Sequence, residues 1–143
     1  MSYGPKVMAD VANSFLLAAK RCFEQRQLPS GQIQALLVPG VVCTAFAIEL
    51  NVKAILTIEK NESTGHELDK LCSKLSRDSQ SVLQQRLALT ESEFQRKVNE
   101  VSCAFVEWRY IYESQLDRHL DIDFLNRLAD EVKKLAEDKI RNG

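Results

Sequence analysis

The sequence predicts an all-α protein, a bundle of four long or medium helices plus short pieces. Three observations carry that expectation. Pro and Gly are scarce and clustered, at Gly4-Pro5, Pro29-Ser30-Gly31, Pro39-Gly40, Gly65 and Gly143, which leaves long uninterrupted segments. Apolar residues recur at steps of three and four over most of those segments. No β-branched run is long enough, or suitably bounded by turns, to give a strand.

Taken in order, the first helix is expected over Lys6 to Gln25, with Met8, Val11, Phe15, Ala19 and Cys22 as its stripe and Ala12 and Phe23 beside it. Between Leu28 and Pro39 a connector carries Ile33 and Leu36-Leu37-Val38, a short apolar run expected to tuck against the bundle. From Val41 to about Glu59 nearly every position is apolar, the mark of a helix that is central or covered on two sides. Thr64-Gly65-His66-Glu67 has the form of a capping box and is followed by Leu68, Leu71, Cys72 and Leu75, so a third, shorter helix is expected to start there. Ser76 to Ser81 reads as a break, after which Val82, Leu83 and Leu87 suggest one or two more helical turns. Thr90-Glu91-Ser92-Glu93 is a second capping box and opens a helix expected to reach about Leu116. After a turn at Asp117-Arg118-His119-Leu120, Asp121 can cap a last helix with Leu125, Leu128, Val132 and Leu135 on its stripe and Lys139 at its end. Its other face alternates in charge and belongs in solvent.

A chain of 143 residues points to one domain, 1–143, able to bury roughly 70% of the surface its unfolded form exposes. With 19 basic against 20 acidic residues and a formal charge of −1, it lacks the strongly basic footprint of a protein that grips nucleic acid by its phosphates, although a local basic patch is compatible with it. Cys22, Cys43, Cys72 and Cys103 form no CxxC pair and lie in or beside apolar helical patterns, so buried reduced thiols are expected. Lys6 and Asp10 flank only short apolar runs, and no stretch reads as a signal peptide or a membrane span, so a cytoplasmic location without membrane contact is expected.

The helix opened by Thr90 holds the chain's only Trp and two of its three Tyr. Phe94, Val98, Val101, Phe105, Trp108 and Tyr112 keep one face turned to a partner surface, which makes Trp108 a core anchor. Arg109 sits about 60° from the centre of that stripe. Its stem should be covered while its guanidinium reaches for an acceptor, either in a structural ion pair or in a site. Glu49 and Lys53 stand four apart inside the apolar second helix, with the acid N-terminal as a local pair prefers. They form either a solvated strip or a partly buried pair in which Glu49 answers Arg109; Glu113, one turn along, is the other carboxylate in reach. His66 is either a catalytic or metal-binding imidazole or, the blander reading, a helix-start residue that bonds locally.

Several chemistries lack their residues. No GxGxxG or GxxxxGK[ST] cradle is present, and neither His66 nor His119 follows a Glu by three positions as a di-iron bundle would require. No metal and no cofactor are expected.

Three stretches taken together resemble the HEPN (higher eukaryotes and prokaryotes nucleotide-binding) domain family. These are E-L-x-x-K-A-I-L from Glu49 to Leu56, G-H-x-L-x-x-L from Gly65 to Leu71, and W-R-Y-x-Y-E from Trp108 to Glu113. The resemblance implies a four- to five-helix up-and-down bundle that commonly dimerises, in a family whose catalytic members cut RNA without metal through an R-x(4-6)-H pair. Arg109 matches the arginine, but Ser114, Gln115 and Leu116 stand where the histidine belongs, and His119 comes ten residues after Arg109. The expected function is therefore a non-catalytic, HEPN-like homodimeric binding module for a nucleotide, RNA or protein partner in a stress or defence system. The candidate binding residues are Arg109, Glu49, Lys53, His66, Tyr110 and Glu113. One rival is a metal-independent ribonuclease using Arg109 with His119, or with His66 of a partner chain. Another is a purely structural helical interaction protein.

Overall fold

A computed structural model describes residues 4–34, 36–102, 104–109 and 120–143, with Gln34, Phe105 and Arg109 described in backbone only. Pro5–Phe23 form α1, Leu37–Ile58 α2, Leu68–Ser73 α3, Arg77–Arg86 α4, Glu91–Val101 α5, Ala104–Arg109 α6 and Ile122–Asn142 α7. The bundle is all-α, apart from a ribbon in which β1 (Arg26–Gln27) pairs antiparallel with β2 (Ile33–Gln34).

The centre is α2. Val41, Ala45, Ala47, Ile48, Val52, Ala54, Ile55 and Leu56 are buried round its whole circumference, and α1, α3, α6 and α7 pack against it. Its 22 residues are long and apolar enough to cross a membrane by length and composition alone, which the expectation of no span-like stretch overlooked. Here that apolar surface is what the other helices cover. The helix starts at Leu37, earlier than expected, because Pro39 falls in its first turn, where no backbone N–H is needed.

Helix α1 buries Ala19 of the expected stripe together with Ala12 and Leu16, while Met8, Phe15 and Cys22 are half-buried and Val11 is exposed. The small side chains of Ala12 and Ala19 let α1 lie close to α2. Where the two elements meet, a Cβ on Gly40 would stand 2.8 Å from the Phe23 ring, so any larger residue there would make that ring shift. Phe15 meets Phe46 edge-to-face at 4.8 Å between ring centroids. The connector does not tuck in: Ile33, Leu36 and Leu37 are exposed and only Val38 joins the core. The small ribbon, which the absence of a strand pattern did not foresee, satisfies that backbone instead, and Leu36 N–H donates to Cys22 O at 3.1 Å.

The middle of the chain is segmented by tertiary hydrogen bonds. The Thr64 capping box does not form; Thr64 Oγ1 donates to Glu62, and α3 begins only at Leu68. Its first N–H groups are taken by Ser102: Leu68 N–H donates to Ser102 O at 3.2 Å and Asp69 N–H to Ser102 Oγ at 3.0 Å, while Ser102 Oγ donates to Asp69. This clasp falls at a turn that separates α5 from α6, where one continuous helix was expected. The Thr90–Glu93 box does form, and Asp121 caps α7 by accepting from Phe124 N–H at 2.9 Å. Phe94, Val98 and Val101 are buried as expected, Ala104 is buried as well, and Trp108 is a core residue at 8% exposure. Cys72 lies in the core, where burial pushes its thiol up to about 12. Cys22 and Cys43 are free thiols only half-buried, not sequestered as expected, and Cys103 lies outside the described residues.

Helices α2 and α4 end alike. Lys60 follows the cap of α2 with φ 59° and Ala88 follows that of α4 with φ 56°. The Asn61 N–H donates to Leu56 O and the Leu89 N–H to Gln84 O, each at 2.9 Å. Both are Schellman closures built on a residue with a Cβ, where glycine is the unstrained choice. Ala88→Gly should therefore stabilise the protein by about 1 kcal/mol, read as a raised midpoint in urea unfolding.

At the end of α2, Glu59 gathers three elements. It accepts from Ser76 N–H at 2.9 Å, Ser76 Oγ at 2.7 Å and Ser79 Oγ at 2.6 Å, with Lys139 of α7 at 3.4 Å. Burial alone would raise its carboxyl, but the hydrogen bonds from Ser79 and Ser76 and the Lys139 charge outweigh it and hold the group below the ordinary 4.5. A depressed carboxylate contributes stability above its unfolded value and loses it as pH falls through the folded one. Glu59→Gln should cost about 1–3 kcal/mol at pH 7, and the gap to wild type should close below about pH 4.5 in paired unfolding curves.

Candidate functional site

Glu49 is inside the protein. It stands in the middle of α2 with its side chain 2% exposed, and an acid so placed needs compensation. Lys53, one turn on, supplies it: Nζ lies 3.2 Å from Oε2 with the side chain 17% exposed. The solvated-strip alternative is thus set aside: Glu49 is buried and paired with Lys53.

The second partner of Glu49 comes from 17 residues away. His66 Nδ1 stands 3.2 Å and 3.1 Å from the two carboxylate oxygens. The blander expectation, a histidine bonding locally in a first helical turn, is overturned because α3 starts two residues later. His66 instead lies in the loop after Gly65, whose φ of +101° turns the chain there, and the imidazole folds back onto α2. Its side chain is still 63% exposed.

This geometry assigns roles to the two ring nitrogens. A carboxylate already paired with an ammonium only accepts, so Nδ1 carries the proton and Nε2 is the nitrogen left for anything that approaches from solvent. A neutral ring would offer Nε2 as an acceptor or base; a protonated ring would offer a charged donor. Lys53 keeps further N–H groups beside it. The result is a fixed imidazole backed by a buried carboxylate, with an ammonium at its side.

The remaining predicted residues distribute differently. Arg109 is the last residue of α6, which packs on α2, but its side chain lies outside the described residues, as do Tyr110, Glu113 and His119. The expected pairing of Arg109 with Glu49 or Glu113 falls there as well. Among the described residues no group of three His, Cys, Asp or Glu could hold a metal. A cleft of about 460 Å3 between α3 and α5, lined by Cys72, Arg96 and Asn99, does not include the cluster.

Comparison of the chain with protein-family models, curated proteins and solved structures gives no match.

Removal of Glu49 and of His66 should have unequal consequences. Glu49→Ala strands Lys53 in a largely buried position and should cost about 3–5 kcal/mol. His66→Ala removes a mostly exposed partner and should cost about 0–1 kcal/mol. Denaturant unfolding of the two variants against wild type measures both.

Proposed function

We propose that this chain is a HEPN-like binding module, non-catalytic and homodimeric, that engages a nucleotide, RNA or protein partner of the kind used in stress or defence systems. The observation that carries the reading is the exposed His66 ring held at Nδ1 by buried Glu49, with Lys53 alongside. Such a pair offers hydrogen-bond donors to an anionic or polar partner without exposing the carboxylate that positions them. All three residues fall in the stretches that carry the family resemblance. Dimerisation is supported by the exposed apolar side chain of Val106, which shares α6 with buried Trp108 and lies near the family's arginine position.

One observation also favours the ribonuclease rival. A histidine whose Nδ1 is held by a carboxylate and whose Nε2 is free has the arrangement of a general base, a role that typically supplies 10²–10⁴-fold in rate. His66 would then replace the histidine missing after Arg109.

Fluorescence anisotropy with a structured RNA and with a labelled mononucleotide, run on wild type, His66→Ala and Arg109→Ala, separates the two. The proposal expects intact RNA throughout and a loss of affinity in His66→Ala of about ten- to a hundredfold, as for a charge-assisted hydrogen bond. Sedimentation should give a dimer at micromolar concentration. Cleavage that tracks His66 or Arg109 would install the ribonuclease reading, and unchanged affinity in His66→Ala would remove the site.

A further inference from the structure

The three described thiols are free, but only Cys72 is sealed in the core. Cys22 stands in the last turn of α1 and Cys43 in the second turn of α2, both half-buried. Two contacts fix how these helices meet. The Phe15 and Phe46 ring centroids lie 4.8 Å apart, and Cys22 Cβ lies 3.2 Å from where a Cβ on Gly40 would stand. Later positions of α1 thus face earlier positions of α2, so the helices run antiparallel and Cys43 falls between the two points of contact. Gly40 puts no side chain of its own between the thiols.

Cys43 is three residues beyond Gly40, about 4.5 Å along the axis, and positions so spaced are neighbours on a helix surface. Burial raises the Cys43 thiol above the ordinary 9.0, and the nearby Cys22 sulfur raises it further. The two groups sense each other, and at neutral pH Cys43 stays protonated. A disulfide joins Cβ atoms roughly 3.5–4.5 Å apart. Cys22 Cβ already stands within that distance of the Gly40 position, so closure onto Cys43 takes a shift of the last turn of α1. Helix ends open at the lowest cost in free energy.

Cys22 also borders a pocket of about 220 Å3 whose lining includes exposed Arg21 and Leu36, wide enough to admit a small hydroperoxide. We propose that Cys22 and Cys43 form a redox modification site, in which a hydroperoxide oxidises Cys22 and Cys43 then closes a disulfide that ties the end of α1 to the start of α2. The Cys22 thiolate attacks the terminal oxygen and the O–O bond breaks. The other oxygen takes up the thiol's proton and leaves as water or an alcohol, and Cys22 becomes a sulfenic acid. Cys43 attacks that sulfur: the S–S bond forms, the S–O bond breaks, and the hydroxyl leaves as water with the Cys43 proton. Two thiols lose two electrons and the hydroperoxide gains them. Neither the His66 site nor a dimer is needed for this step.

The test treats native wild type with equimolar hydrogen peroxide, blocks the remaining thiols, and maps the chain by mass spectrometry after proteolysis without reductant. A peptide pair linked through Cys22 and Cys43 should carry most of the oxidised protein, the intact chain should be lighter by two hydrogen atoms, and dithiothreitol should separate the pair. Cys43→Ser should lose the link and leave a Cys22 sulfenic acid that dimedone labels, where wild type labels little. Cys22→Ser should leave Cys43 reduced at the same dose. Circular dichroism shows whether each variant folds, and should either fail, the wild-type map decides alone. Three results overturn the proposal: no link to Cys43 in wild type whether or not Cys22 is oxidised, a link from Cys22 to Cys103 or to a second chain in its place, or a Cys22–Cys43 link that forms only once urea has unfolded the chain.

Discussion

The need to desolvate α2 on every side governs this fold. A helix with an apolar stripe requires one partner, but one apolar all round requires a sheath, and α1, α3, α6 and α7 provide it. Each buried Val, Ile or Leu side chain contributes roughly 1.5–3 kcal/mol, so Val41, Ile48, Val52, Ile55 and Leu56 of α2 together outweigh any single contact elsewhere. The same burial makes every polar atom on α2 expensive. Thr44 returns its hydroxyl to Gly40 O at 2.8 Å, within its own helix. Glu49 draws in Lys53 and the His66 loop, and Glu59 draws in the start of α4 and the end of α7. The acids of the central helix thus decide where the following loop and helices settle.

The short pieces between α2 and α7 obey a second constraint. Helices of one or two turns are not stable on their own, and α3 has no side-chain cap. Ser102 compensates by satisfying the N–H groups of Leu68 and Asp69 from a turn far along the chain. The clasp fixes α3 against α5 and places Gly65 and His66 over Glu49. Loop geometry at the candidate site is thereby set by backbone hydrogen bonds some distance from it.

What was legible in the sequence follows from this division. Periodicity and caps that act locally read correctly: the apolar α2, the Thr90–Glu93 box, Asp121 and the burial of Trp108 all stand where their patterns put them. Features that depend on distant partners did not read. The Thr64 motif had the right letters, but Ser102 competed for the helix start, and nothing in the residues around Ser102 announces a break between α5 and α6. The stripe of α1 was read correctly at Ala19 and wrongly at Val11, which is exposed, because the buried face turns toward Leu16, which the three-and-four spacing passed over. At the candidate site the pairing of Glu49 with Lys53 was visible as an i, i+4 spacing. The arrival of His66 was not, although the preceding Gly65 marks a chain reversal that makes it possible.

Charge compensation separates the two partners that Glu49 has among the described residues. Lys53 is enough to neutralise the carboxylate, is nearly as well covered, and shares its helix, so the pair forms with little loss of freedom. His66 adds a contact at the surface, where the contribution of an ion pair to stability is small, and holding an exposed side chain in one orientation costs rotamer entropy. Stability is therefore a weak reason for a histidine at this position. What the contact does achieve is definition: it fixes the tautomer, sets the plane of the ring and leaves Nε2 without a hydrogen bond among the described residues. A side chain that gains position rather than stability is better explained by what it meets than by what it supports, and on that ground the proposed binding role rests on His66 more than on the better buried Lys53.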